Sequence, residues 1–282
     1  MKALALAAFG IAFAWAAHAE VREESIEIAG LRAFTWESTQ ASQERRALVV
    51  FSHGFHGCAT QSRFLMKALA EAGYFVIAPN HRDATCDGGP ASWAQSPSTP
   101  FKDAAHWSDA TYRDRGDDVR RVIEAVAADE RFRDRVDAAR LGLAGHSLGG
   151  YTVLGVAGAW AAWKLANVKA VLALSPYSLP FDVHGTIGSL AAPVMYQGGT
   201  LDFGITPELK KRDGSYARSP PPKYFVELAG AGHLAWTDVR STFHASIDAY
   251  AVAFMDRYVR GKSADLATKR ADVAALLHSE AK

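Results

Sequence analysis

The chain has 282 residues, 49% hydrophobic and 22% charged, and its 31 basic side chains nearly cancel 30 acidic ones. That length and apolar content suit one large domain with a substantial core, not a disordered or fibrous chain. The balanced charge argues against a dedicated nucleic-acid binder, which would carry a basic excess.

The opening residues, MKALALAAFGIAFAWAAHAE, set Lys2 before an apolar stretch that closes on the small-residue triplet Ala17-His18-Ala19. This pattern reads as a secretory signal peptide over residues 1–19, followed by one catalytic-size domain over 20–282. The protein is then exported, to the periplasm or the medium. The apolar stretch is too short to span a bilayer comfortably and no later one reaches spanning length, so no membrane contact is expected after cleavage.

Beyond it, short β-rich runs alternate with amphipathic ones. SIEIAG and LRAFTWES predict an opening hairpin around Gly30. RALVVFSHG holds a buried strand from about Ala47 to Ser52. QSRFLMKALAEAG carries a helical stripe at 64, 65, 68, 69 and 72 and stops at Gly73. YFVIAPN is the next strand, and DRGDDVRRVIEAVAAD is a helix with Val119, Val122, Ile123 and Val126 on one face. RLGLAG is a strand, and LGGYTVLGVAGAWAAWK reads as one long helix. VKAVLALSP, APVMYQGG and KYFVELAG are three further strands, and SIDAYAVAFMDRYVRG is a helix closing at Gly261. The alternation predicts an α/β fold: an eight-stranded, mostly parallel sheet covered by helices on both faces. In such sheets the chemistry lies beyond the carboxyl ends of the strands. One long irregular stretch, residues 83–108, follows the fourth strand on that side; its Trp93, Phe101 and Trp107 suit an ordered cleft wall.

At the end of RLGLAG stands Gly-His-Ser-Leu-Gly. Composition alone would produce Gly-x-Ser-x-Gly in roughly one chain in eight of this length, so context decides. Here a strand precedes Ser147 and a helix follows it, the setting of a nucleophile elbow, with the Leu148 N–H at the helix start. A serine needs a base, and His233 in AGAGHLAWTD lies just past the last predicted strand. The base needs a carboxylate. Asp202 follows APVMYQGG closely, whereas Asp182, the alternative, lies farther beyond its own strand. Asp238 reads as a cap for the following helix, and His244 and His278 fall in helical patterns. A second oxyanion donor is expected from the Phe55 N–H in FSHGFHGCAT, with the Phe55 ring in the pocket. His146 points away from Ser147 on so sharp a turn and is grouped with Phe55, Trp93, Trp107 and Trp236 as bordering the substrate. His53, His56 and Cys58 could suggest a metal, but no fourth ligand is evident; no metal or other cofactor is expected. Cys58 and Cys86 follow consecutive strands. An exported chain could pair them, tying the oxyanion loop to the aromatic loop.

These residues resemble serine esterases of the α/β-hydrolase superfamily, and more narrowly the platelet-activating-factor acetylhydrolase-like and dienelactone-hydrolase-like group that includes bacterial polyester hydrolases. The resemblance runs from about residue 45 to 260 and rests on VVFSHGFHG, LAEAGYFVIAPNHRD, RLGLAGHSLGG and GAGHLAWTD. It implies Ser147 as nucleophile, His233 as base, and donors at Phe55 and Leu148. Two departures matter. Animal acetylhydrolases of this group carry the acid at the end of the strand after the elbow helix, where this chain has Ser175, so the acid moves to Asp202. Dienelactone hydrolases use a cysteine nucleophile, so their activity does not carry over. The short connection from Ser147 to Asp202 leaves no room for a large lid domain. The expected function is hydrolysis of short-chain, aromatic or polyester-type esters. A serine peptidase or amidase on the same fold and a non-catalytic binding protein are the alternatives, separable by substrate panels and by covalent labelling of Ser147.

Overall fold

The computed structural model describes residues 20–280, so the expected signal peptide lies outside the described residues. Two strands, β1 (Val21–Ile28) and β2 (Leu31–Ser38), pair antiparallel across a turn in which Ala29 and Gly30 both take positive φ (54° and 75°). A turn with two such residues matches the right-handed twist of the strands it joins. Next come β3 (Arg46–Ser52), α1 (Arg63–Glu71), β4 (Phe75–Pro79), α2 (Arg113–Ala128), β5 (Val136–His146), α3 (Leu148–Leu154) and β6 (Val168–Leu174). The short helix α4 (Leu179–Val183), β7 (Val194–Gly199), α5 (Thr206–Lys210), α6 (Ser215–Arg218), β8 (Lys223–Leu228), α7 (His244–Val259) and β9 (Val273–Ser279) complete the fold.

The strands form one sheet in the order β1-β2-β4-β3-β5-β6-β7-β8-β9. The six strands from β4 to β8 in that order run parallel, and antiparallel strands close both edges. Because successive side chains on a strand face opposite ways, β3 sends Leu48 and Val50 to one face and Val49 and Phe51 to the other. The first face packs on α2 and α3 through residues such as Val119, Val122 and Tyr151. The second packs on α1 and α7 through Leu65, Leu69, Ile247 and Phe254.

Three expectations are corrected. The sheet has nine strands among the described residues, not eight. VAALLHS is rich in Ala and Leu and reads as helix, but antiparallel pairing with β8 makes it a strand and puts His278 beside Tyr224. Tertiary pairing here overrides local propensity. The helix expected over 148–164 ends at Leu154 and passes into a wide π-type turn, where Gly158 has φ 122°, before a 3-10 turn at Ala161–Trp163. Glycines at 155 and 158 weaken the helix and allow the chain to turn so that Trp163 is buried. Asp238 also departs from expectation: its carboxylate accepts from the Phe64 N–H at the start of α1, not from the helix that follows it.

Candidate active site

The elbow depends on close backbone contact. A Cβ at position 149 would lie 1.9 Å from the Ser52 carbonyl oxygen, and one at 145 would lie 2.3 Å from the Gly149 oxygen, so only glycine lets α3 sit this near β3 and β5. Between them Ser147 takes φ 56° and ψ −118°. That backbone region is costly for a residue with a side chain and persists only where the surroundings hold it. Here the Ser147 N–H donates to the Leu174 carbonyl and its carbonyl accepts from the Tyr177 N–H, both at 3.0 Å.

Ser147 Oγ lies 2.9 Å from His233 Nε2, and His233 Nδ1 lies 3.1 Å from Asp202 Oδ1. The imidazole, 37% exposed, thus faces the serine on one edge and a buried carboxylate on the other. Burial alone would raise the Asp202 pKa; hydrogen bonds from His233, Ser175 and Thr206 outweigh it and hold the carboxyl below its ordinary value. Asp182 does not join this group. It sits in α4, accepts from Ser215 Oγ at 2.6 Å, and is pushed up to about 6 by burial.

The loop carrying Phe55 is fixed from below and from the side. Arg115, fully buried, donates Nη1 to the His53 carbonyl (2.8 Å) and Nη2 to the Gly54 carbonyl (3.2 Å) while pairing with Asp83. From the side, the Gly54 N–H donates to Gln61 Oε1 at 3.0 Å, Gln61 Nε2 reaches His146 Nδ1 at 3.1 Å, and His146 Nε2 reaches the His233 carbonyl at 2.9 Å. This chain requires His146 to donate from Nε2 and accept at Nδ1. Burial pushes the His146 pKa down to about 3, so the ring stays neutral as that role demands. The N–H groups of Phe55 and Leu148 donate to no other protein group among the described residues.

The expected substrate-facing residues divide. Phe55 borders a cleft of about 480 Å³ that holds Ser147 and His233 and is walled by Phe101, Tyr177, Leu179 and Ile205. Trp107 is fully buried, packed with tilted rings behind Phe101 and Tyr177, so it supports the wall instead of forming it. Trp236 is also fully buried and donates to Gln197. His146 is 3% exposed and spends both nitrogens on the chain just described. Trp93, 74% exposed, stands edge-on to His56 at the rim of the oxyanion loop. Bulky aromatics are read as pocket residues in a sequence, but a ring this large equally fills the layer beneath. Sequence reasoning missed Gln61, Arg115 and Thr206, which carry no motif of their own; Ser175 was noticed only as a missing acid.

Cys58 and Cys86 are bonded, with Cα atoms 5.5 Å apart. The Thr85 N–H and hydroxyl donate to the Gly57 and His56 carbonyls, so the bridge and its neighbours join the loop carrying Phe55 to the segment after β4. His53 uses Nδ1 on the Gly54 carbonyl and Nε2 on the His81 N–H, so His53, His56 and Cys58 do not form a ligand set.

Residues 47–186 match the family described as alpha/beta hydrolase fold. Over 134 residues the chain is 31% identical to Cutinase est2 of Thermobifida alba, covering 47% of this chain and 40% of that one. Cutinase 2 of Thermobifida cellulosilytica is likewise 31% identical over 134 residues, 47% of this chain and 46% of its own. Platelet-activating factor acetylhydrolase of Canis lupus familiaris is 23% identical over 236 residues, 73% of this chain and 51% of its own. The chain therefore spans about half or less of the length of these curated relatives. With its parallel sheet, its serine on a strand-to-helix turn and the matched segment, the chain has the α/β-hydrolase fold.

Proposed function

We propose that this protein is an exported carboxylic-ester hydrolase that works through an acyl-enzyme on short-chain, aromatic or polyester-type esters. The observation that carries this reading is the line Ser147 Oγ, His233 Nε2, His233 Nδ1, Asp202 Oδ1, with contacts of 2.9 Å and 3.1 Å. Ser147 attacks the ester carbonyl as His233 takes its proton, and Asp202 steadies the imidazolium. The N–H groups of Phe55 and Leu148 receive the oxyanion, the second at the head of α3. His233 returns the proton to the departing alcohol, and water then releases the acid by the reverse roles. The likeness to cutinases and to an acetylhydrolase supports an ester as substrate. The aromatic wall of Phe55, Phe101 and Tyr177 supports a flat or short acyl group. The disulfide supports residence in an oxidising compartment. Among the described residues no helix is long and apolar enough to cross a membrane.

The test is hydrolysis of p-nitrophenyl esters from acetyl to palmitoyl, an aromatic diester and a peptide panel, with fluorophosphonate labelling alongside. The expected outcome is labelling abolished by Ser147→Ala, a preference for short or aromatic acyl groups, and no peptide turnover. Failure of the wild-type protein to label would remove the hydrolase reading; better turnover of palmitoyl than acetyl esters would remove the substrate class.

A further inference from the structure

Ser175 stands at the carboxyl end of β6, fully buried, with φ 41°. It and Ser147 are both non-glycine residues at positive φ, each immediately beyond the end of a parallel strand. Both hydroxyls converge on one imidazole. Ser147 Oγ is 2.9 Å from His233 Nε2, and Ser175 Oγ is 2.8 Å from His233 Nδ1. Ser175 Oγ also lies 2.6 Å from Asp202 Oδ2. Strain of this kind is maintained where the surroundings over-determine it, and here it aims a hydroxyl.

A hydroxyl has one proton to give and lone pairs to receive. The Asp202 carboxylate can only accept, so the Ser175 proton goes to Oδ2. Toward His233 the Ser175 oxygen then has only a lone pair, so it accepts the Nδ1–H. That N–H is shared between Ser175 Oγ at 2.8 Å and Asp202 Oδ1 at 3.1 Å. The opposite tautomer would put two lone pairs face to face at Nδ1. We propose that Ser175 is a positioning residue, a hydroxyl clamp whose proton is committed to Asp202 so that its lone pair holds His233 with Nδ1 protonated and Nε2 bare toward Ser147. Thr206 completes the arrangement. Its hydroxyl donates to Asp202 Oδ2 at 3.0 Å and accepts from the Gly199 N–H at 2.9 Å. Asp202 Oδ2 thus has two donors, and Oδ1 is left for the imidazole.

The inference rests on the esterase reading of the Ser147 site, and the experiment separates the two. Fluorophosphonate labelling rates and kcat and KM for p-nitrophenyl acetate are measured for wild type, Ser175→Ala, Asp202→Ala and the double variant. Ser175→Ala should lower kcat and the labelling rate about tenfold, the loss of one hydrogen bond to a charged pair, with KM unchanged within about twofold. In the Asp202→Ala background the same substitution should cost less than about twofold, because without the carboxylate to take its proton the hydroxyl no longer selects the Nδ1–H tautomer. Ser175→Gly suits the positive φ and also lacks the hydroxyl, so it should reproduce the tenfold drop even if the alanine variant folds poorly. Wild-type rates in either single Ser175 variant, or an equal drop with and without Asp202, would overturn the proposal. A wild-type protein that does not label overturns the esterase reading on which it stands.

Discussion

Arg115 has no exposed surface, yet its guanidinium is satisfied by the Asp83 carboxylate and by the carbonyls of His53 and Gly54. Its positive charge holds the Asp83 carboxyl well below the ordinary carboxylate range despite burial. Removing one partner of such a pair strands the other in a dry interior. Arg115→Met should therefore cost ~3–5 kcal/mol in urea unfolding. Protein that still folds should lose kcat more than KM, because the loop bearing the Phe55 N–H loses its underside. Unchanged stability would show that the buried pair contributes nothing. At this scale legibility follows local context. Ser147, Asp202 and His233 each follow a recognisable strand in the sequence, so strand ends alone placed them on one side of the sheet. Arg115 lies mid-pattern in a charged run, RDRGDDVRR, which reads as a solvated helix face; only the packed structure turns it inward.

Among the elements, the loop carrying Phe55 is held by several ties from outside it. The disulfide is one of them, with Cys58 buried and Cys86 exposed on the rim. A bridge spanning 28 residues restricts the unfolded chain by about 3–4 kcal/mol in the loop-entropy picture. The double variant Cys58→Ala/Cys86→Ala should lower the melting temperature, and its kcat should fall several-fold while KM moves little. Thiol-free buffer and a reductant titration of the wild type give the same readout without mutation. A variant as active and stable as the wild type would show the bridge to be idle. The helices show what periodicity can and cannot convey. The Val119, Val122, Ile123 and Val126 stripe appears on α2 as expected. The break after Leu154 and the strand β9 are set by packing of Trp163 and by pairing with β8, contacts distant in sequence.

For the molecule as a whole, buried ionisable groups set the response to acid. His53, His81 and His146 are buried and all have pKa values lowered, mainly by desolvation. The unfolded chain takes up protons on these rings near pH 6.5 while the folded chain refuses them, so stability falls as pH falls through that region. Asp182 and Asp248 oppose this. Burial raises them to about 6 and about 7, so the folded chain binds their protons first. Three rings against two carboxyls leave a net shallow decline in stability as the pH falls below the unfolded imidazole value. Below roughly pH 4 the unfolded chain also protonates Asp83, Asp118 and Asp202, whose folded pKa values are lowered, and the loss steepens. Urea midpoints from pH 8 to 3 should show a gentle slope followed by a steep one. Constant stability down to pH 4 would contradict this account.

The hydrogen-bonded line from Gly54 through Gln61 and His146 to His233 has a further consequence. Its two linking side chains, Gln61 and His146, stand outside the cleft lining, and His233 enters the line only through its backbone carbonyl. On the esterase reading, what the cleft grips and how it reacts are therefore specified by different atoms. Substitutions of rings and aliphatic groups at the wall should change which ester is accepted and leave the alignment of donor and base in place. A scaffold arranged this way can change its diet without relearning its chemistry.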